Sequence, residues 1–298
     1  MFRSTTRLTI LLAALALAAL LGGCSDDDSS TIAPATTDDL ATTDKDAAEA
    51  VAADVGLQSG GLADQIADLS WIMGEVGGAK SDPGDGSGHR PSGSFERVYD
   101  EATGIWTISI ERERGNPDGV PYASIQREYT LRFLDEAGVP MQFRVVDGDT
   151  ARTAEFEIVS GSGVHRTRRL EQQLTELGGS FLVTDVEQEL VTINGTYHRE
   201  AGHRLETPRF VRTLDGVLDL ELTDVVAPFR WRLHHTDAVS GSIDGTFVAD
   251  ITIERGDDYV ENHIERDFTI VFGDGEGEMV MGGHVYRLDL GDGALCGE

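Results

Sequence analysis

Glu128-Tyr129-Thr130-Leu131-Arg132-Phe133 decides the fold class of this 298-residue chain. Tyr129, Leu131 and Phe133 alternate with Glu128, Thr130 and Arg132, a period of two that gives an extended strand one dry face and one wet face. The same alternation recurs at Met141, Phe143 and Val145, at Ala154, Phe156 and Ile158, and at Leu218, Leu220 and Leu222. Turn-forming residues punctuate these runs: Ala102-Thr103-Gly104, Asn116-Pro117-Asp118-Gly119, Asp147-Gly148, Gly161-Ser162, Gly178-Gly179 and Asp244-Gly245. Short strands joined by turns, without intervening helices, predict an all-β domain over 94–298. The expected fold is an antiparallel meander forming a sandwich or a curled, open barrel.

Two finer expectations follow from the same region. Gly161-Ser162 suits a two-residue type II′ hairpin, which would set Glu157 opposite Arg166 and Glu155 opposite Arg168. There is also an internal echo. Ile108-Ser109-Ile110-Glu111-Arg112 resembles Ile251-Thr252-Ile253-Glu254-Arg255, and the run from Ile125 to Phe133 resembles that from Ile264 to Phe272. The echo predicts a hairpin unit used twice.

Upstream of the strands the period changes. Residues 45–93 read as a short helical segment followed by a Gly/Pro-rich linker over 77–93. Leu62, Ile66, Leu69 and Met73 fall on one helical stripe, which predicts a helix packed on the domain. Residues 24–44 are small, polar and acidic and read as a flexible tether. Residues 1–23 join Arg3 and Arg7 to an apolar run from Leu8 to Leu21 that is too short to span a bilayer, the pattern of an export signal. Leu21-Gly22-Gly23-Cys24 resembles the lipobox of bacterial lipoproteins. That resemblance, confined to about the first 25 residues, implies cleavage before Cys24 and a diacylglycerol on its sulfur, with palmitate-type acyl chains as the membrane partner. Ser25 after the Cys favours the outer membrane, where the domain would face periplasm or medium.

Composition excludes several chemistries. The net charge of −29 repels phosphate backbones, so no nucleic acid is expected as partner, and it equally repels anionic lipid head groups. The lipid on Cys24 would then be the sole membrane contact. With that thiol consumed, Cys296 stands alone and no intramolecular disulfide is expected. Only two Lys stand against 22 Arg, a bias that suits GC-rich codon usage. No nucleophile elbow and no phosphate-cradling loop occur, and no cofactor is expected.

Individual site candidates are few. His198 and His203 flank Arg199-Glu200-Ala201-Gly202; were those four residues a turn, the two imidazoles would share one face and could chelate a metal with a carboxylate. His234 and His235 are adjacent on a strand and point apart. Glu187 with Glu189, and Asp219 with Glu221, are carboxylate pairs at i, i+2, the raw material of acid/base hydrolysis only across a cleft. Acidic Gly turns such as Asp147-Gly148-Asp149 offer weak calcium ligands. Trp106 and Trp231 could stack a sugar. The expected function is therefore non-catalytic, a membrane-anchored envelope lipoprotein that binds a protein or glycan or plays a structural part. The alternatives are a carrier for an amphiphile, with the 62–76 helix as lid over an open barrel, and an envelope hydrolase using paired carboxylates. Charges on both faces of strands at Arg112 to Arg114 and Arg166 to Arg169 argue against a transmembrane barrel.

Overall fold

The computed structural model describes residues 42–57, 60–76, 93–228, 238–273, 276–291 and 293–296. Two helices come first, α1 (Thr42–Val55) and α2 (Leu62–Val76). The strands follow as β1 (Gly93–Asp100), β2 (Ile105–Gly115), β3 (Tyr122–Leu134), β4 (Pro140–Met141), β5 (Val145–Val146), β6 (Asp149–Thr150), β7 (Thr153–Arg166) and β8 (Leu170–Thr184). The second half adds β9 (Leu190–Glu206), β10 (Val211–Pro228), β11 (Ser240–Arg255), β12 (Asp258–Gly273), β13 (Glu276–Met281), β14 (His284–Asp289) and β15 (Ala294–Cys296). Thirteen of these strands form one antiparallel sheet in chain order, β4 pairing off the main path, and β5 and β6 form a separate small hairpin. The sheet is an open meander, as the alternation predicts.

One face of this sheet is packed and the other is wet. Ile108, Ile110, Tyr129, Leu131, Phe133, Phe156, Phe181, Leu218, Phe247 and Ile270 point inward and are buried. Tyr129, Phe156 and Phe181 rest ring against ring across β3, β7 and β8, with centroids 4.9 and 6.2 Å apart. Such aromatic rows fix register as well as burying area. The helices lie on this inner face. Arg97 of β1 donates to the Glu75 carbonyl of α2, whereas Leu57 after α1 donates its backbone N–H to Leu290, between β14 and β15. A helical pair that meets strands from both ends of the meander is one the sheet curls around. Accordingly α1 and α2 are not an appendage: Ala47, Val51, Ile66, Leu69, Ile72 and Met73 belong to the same hydrophobic core as the strands.

Four local expectations need correction. Residues 161 and 162 lie within β7, not in a turn, so Glu157 and Arg166 sit nine residues apart on one strand, about 30 Å at ~3.3 Å per residue. The observed β7–β8 turn, Thr167 to Leu170, has no glycine. The Thr167 hydroxyl accepts hydrogen bonds from the backbone N–H of Arg169 and Leu170 (3.4 and 3.0 Å), and Thr207 does the same for Arg209 and Phe210 between β9 and β10. Second, Gly178-Gly179 and Asp244-Gly245 are likewise interior to strands. At Gly245 a Cβ would stand 2.5 Å from the Phe268 ring, so the glycine makes room for an aromatic ring lying across the strand. Third, the echoed segments do form the β2–β3 and β11–β12 hairpins, but with different pairings. Arg112 faces Ile125, whereas its counterpart Arg255 faces Asp258 rather than Ile264. The strands repeat; the hairpin does not. Finally, Glu187 and Glu189 occupy the tight turn after β8, not a strand face.

Candidate functional site

The strongest concentration of charge lies where the helices meet the inner face. Five arginines, Arg112 on β2, Arg127 on β3, Arg199 on β9, Arg212 on β10 and Arg266 on β12, each pair with an aspartate of the helical segment. Arg266 Nε lies 2.6 Å from Asp44 Oδ1, and Arg212 Nη1 lies 2.7 Å from Asp46 Oδ1. Arg199 Nε is 3.0 Å from Asp54 Oδ1. Arg127 Nη1 reaches both Asp64 Oδ2 and Asp68 Oδ2 at 2.6 Å, and Arg112 pairs with Asp68 and, at 3.8 Å, with Asp64. Planar, multidentate guanidinium suits such sites better than a lysine ammonium, which gives the arginine bias a use at these five positions.

The innermost pairs are sealed, with Asp54 2 % and Arg199 1 % exposed, and their remaining hydrogen-bonding capacity is met by neighbours. Asp54 Oδ1 also accepts from Gln172 Nε2 at 3.3 Å and lies 3.2 Å from His203 Nε2. The Tyr129 hydroxyl donates to Asp68 Oδ2 at 2.8 Å. The network requires Gln65 to turn its NH2 toward that hydroxyl (2.7 Å), so that its oxygen accepts from Arg127. Arg127 and Arg199 converge on one acceptor, the Gly60 carbonyl, at 3.1 and 3.0 Å. Gly60 has φ +72°, a left-handed conformation open to glycine at little cost, and this bend between the helices aims its carbonyl at both guanidiniums.

These surroundings set the ionisation of the cluster. Burial alone would raise the Asp54 carboxyl, but Arg199 and His203 outweigh it and hold the group below the usual carboxylate range. Asp64 goes the other way, raised by burial and by Asp68 close by, against the pull of Arg127 and Arg112. Burial and the Asp68 carboxylate push the Tyr129 hydroxyl well up, so it stays a proton donor. The result is a docking network of matched charges.

On the outer face a second group forms. His198 and His203 do not converge: β9 runs unbroken through Arg199 to Gly202, and residues five apart on a strand point to opposite sides. His203 faces in, to Asp54, and His198 faces out. There His198 Nδ1 is 2.7 Å from Asp219 Oδ1, and Nε2 is 3.8 Å from Glu200 Oε1. Ligand atoms of Glu176, His198 and Glu200 all lie within 4.8 Å of one another. Glu176 and His198 border a groove of about 990 Å³ across the outer face of β8 to β13, which also includes Asp219, Glu221, Asp244 and Asp267. Asp219 and Glu221 do share a face of β10, in the open rather than across a cleft. Trp106 is a core residue whose indole N–H donates to the Gln142 carbonyl at 2.6 Å. Cys296 is disulfide-bonded, contrary to the expectation that it stands alone. Cys24, Trp231, His234 and His235 lie outside the described residues.

Compared with family models, curated proteins and solved structures, the chain matches none. Its site must be argued from its own residues. Sequence reasoning missed the docking network, although a signal existed. Asp44, Asp46, Asp54, Asp64 and Asp68 recur through a helical segment rich in small and apolar residues, and Arg127 and Arg199 stand at positions whose strand neighbours at ±2 are apolar or aromatic.

Proposed function

We propose that this chain is a lipid-anchored protein of the cell envelope, tethered through Cys24 to the outer membrane, whose β domain is a non-catalytic binding or structural module. The anchor rests on Leu21-Gly22-Gly23-Cys24 behind its short apolar run. The module reading rests on one observation: among the described residues the buried carboxylates that could serve acid/base chemistry, Asp54 and Asp68, are spent in pairs that fasten the helices to the inner face. The same fastening weighs against an amphiphile carrier, since the surface such a ligand would need is covered by α1 and α2. The outer face of β9 to β12, lined with Asp219, Glu221, Asp244, Asp250 and Asp267, supports a partner met in water rather than in lipid.

Metabolic labelling with an alkyne fatty acid tests the anchor. The full chain should take up label and fractionate with outer membranes, and Cys24→Ser should do neither. Intact mass decides the fate of the Cys24 sulfur, since a diacylglyceryl thioether and a disulfide to Cys296 exclude each other. An unlabelled, soluble product would overturn the anchor. Hydrolysis of envelope polysaccharide or peptide by the purified protein would overturn the module.

A further inference from the structure

We propose that Glu176, His198 and Glu200 form a binding site for a divalent transition-metal ion of the zinc class, with Asp219 orienting the imidazole. The sheet carries a defect beside these residues. Between β8 and β9 the register shifts, Leu174 facing Ala201 but Glu176 facing Glu200, so that Thr175 is an extra, bulged residue. In an unbroken ladder residue 176 would face the buried Arg199 and share its inward orientation. The bulge instead turns Glu176 to the outer face, directly across from Glu200. Two carboxylates at a cross-strand pair repel each other, and bulges commonly re-aim a side chain for a purpose. A sheet that breaks its register to bring two like charges together gains from a cation between them.

The histidine is held in a ligating orientation. Asp219 accepts the hydrogen bond at Nδ1 (2.7 Å), which keeps the proton there and leaves the Nε2 lone pair directed toward Glu200. A carboxylate behind a ligating imidazole is the usual outer-shell partner in zinc sites, where it fixes the tautomer and raises ligand basicity. The three ligand atoms, within 4.8 Å of one another, need to close to ~3.3 Å for tetrahedral bonds of ~2.0–2.1 Å. Both glutamates are long side chains open to solvent, so they can close that gap without moving the strands. One nitrogen and two carboxylate oxygens suit zinc, nickel or copper, whereas calcium and magnesium prefer oxygen alone. Three protein ligands leave a fourth position of a tetrahedral ion open.

Isothermal titration of the full chain with zinc chloride tests this. One saturable site per chain is expected, absent for calcium and magnesium chlorides at the same concentrations. Affinity should fall at least tenfold in His198→Ala and in Glu200→Gln, and ten- to a hundredfold in Asp219→Asn, where the ligands remain and only the orienting group is lost. His263→Ala is the control, because His263 makes the same bond to a strand aspartate, Asp250 at 2.8 Å, outside any convergent ligand group among the described residues. X-ray absorption at the zinc edge should show one imidazole among oxygen ligands. Unchanged melting temperatures in the variants keep folding out of the comparison. No saturable binding, equal loss in His263→Ala, or an all-oxygen absorption spectrum would each overturn the site.

Discussion

The inner and outer faces of the sheet use the same alphabet of aspartate with arginine or histidine, to opposite energetic effect. Inside, Asp54 meets Arg199 with both groups out of water, and Asp68 meets Arg127 under the same conditions. Outside, Asp250 meets His263 at 2.8 Å with side chains 73 % and 61 % exposed, and Asp267 accepts from Thr246 at 2.9 Å in the open. The distances are alike, but water screens the outer pairs and competes for their hydrogen bonds, so each contributes about 0–1 kcal/mol. An inner pair has no such competitor. Its formation roughly balances the cost of desolvating both charges, yet removing one partner strands the other in an apolar interior. What this teaches is that burial, not pairing distance, decides what an ion pair is worth.

Breaking one inner pair should give the largest effect. Asp54→Asn leaves Arg199 buried without its counter-charge and should lower stability by about 3–5 kcal/mol, read from urea unfolding. The double substitution Asp54→Leu with Arg199→Met should recover most of that loss, since an apolar pair of similar volume removes the stranded charge. A double variant no better than the single one would refute the docking account. Next in size, Ile72→Ala on α2 should cost about 2–5 kcal/mol if the helix is part of the core rather than a detachable lid. A loss under ~1 kcal/mol would return the lid to consideration. Acidification sharpens the contrast further. The folded-state carboxyl of Asp54 lies below its unfolded value of ~3.9, so its contribution is present above about pH 4 and is lost as pH falls further and the folded chain too takes up the proton. Asp54→Asn should therefore flatten that part of the stability profile. Tyr129→Phe should cost about 1–3 kcal/mol by leaving Asp68 and Gln65 short of a partner. Last, Asp250→Asn on the outer face should change stability by no more than about 0.5 kcal/mol by the same measurement.

The strands were legible because their signal is local. Apolar alternation at Tyr129, Leu131 and Phe133, at Ala154, Phe156 and Ile158, and at Leu218, Leu220 and Leu222 was followed each time by one strand with a dry face, whereas at Met141, Phe143 and Val145 the chain bends after β4 and enters the separate β5–β6 hairpin instead. The turns were read less well. Glycine marks a bend only when the backbone there needs a positive φ or a tight reversal, as at Asp147-Gly148. At Gly245 it marks a ring packed across the strand, and nothing nearby in the sequence distinguishes the two uses. The reversals at Thr167 and Thr207 depend on a hydroxyl capping its own turn, a weaker compositional sign. His198 was singled out together with a companion that the fold places on the opposite face. Its partnership with His203 required a hairpin that β9 does not make, and its real neighbours, Glu176 and Asp219, come from two other strands.

Legible from the chain alone were the class of fold, the helical stripe at Leu62, Ile66, Leu69 and Met73, and the surplus of acid. These properties depend on period and composition, which are summed along the chain. Tertiary structure alone decided which acids are buried and which face solvent. Asp54 and Asp68 sit inside, and Asp219 and Asp250 outside, only because an open meander curls over two helices and brings Arg127 and Arg199 to one carbonyl at Gly60. An arginine flanked at ±2 by apolar residues marks a buried charge, but which aspartate it meets leaves no local trace, since the partners lie so many residues apart.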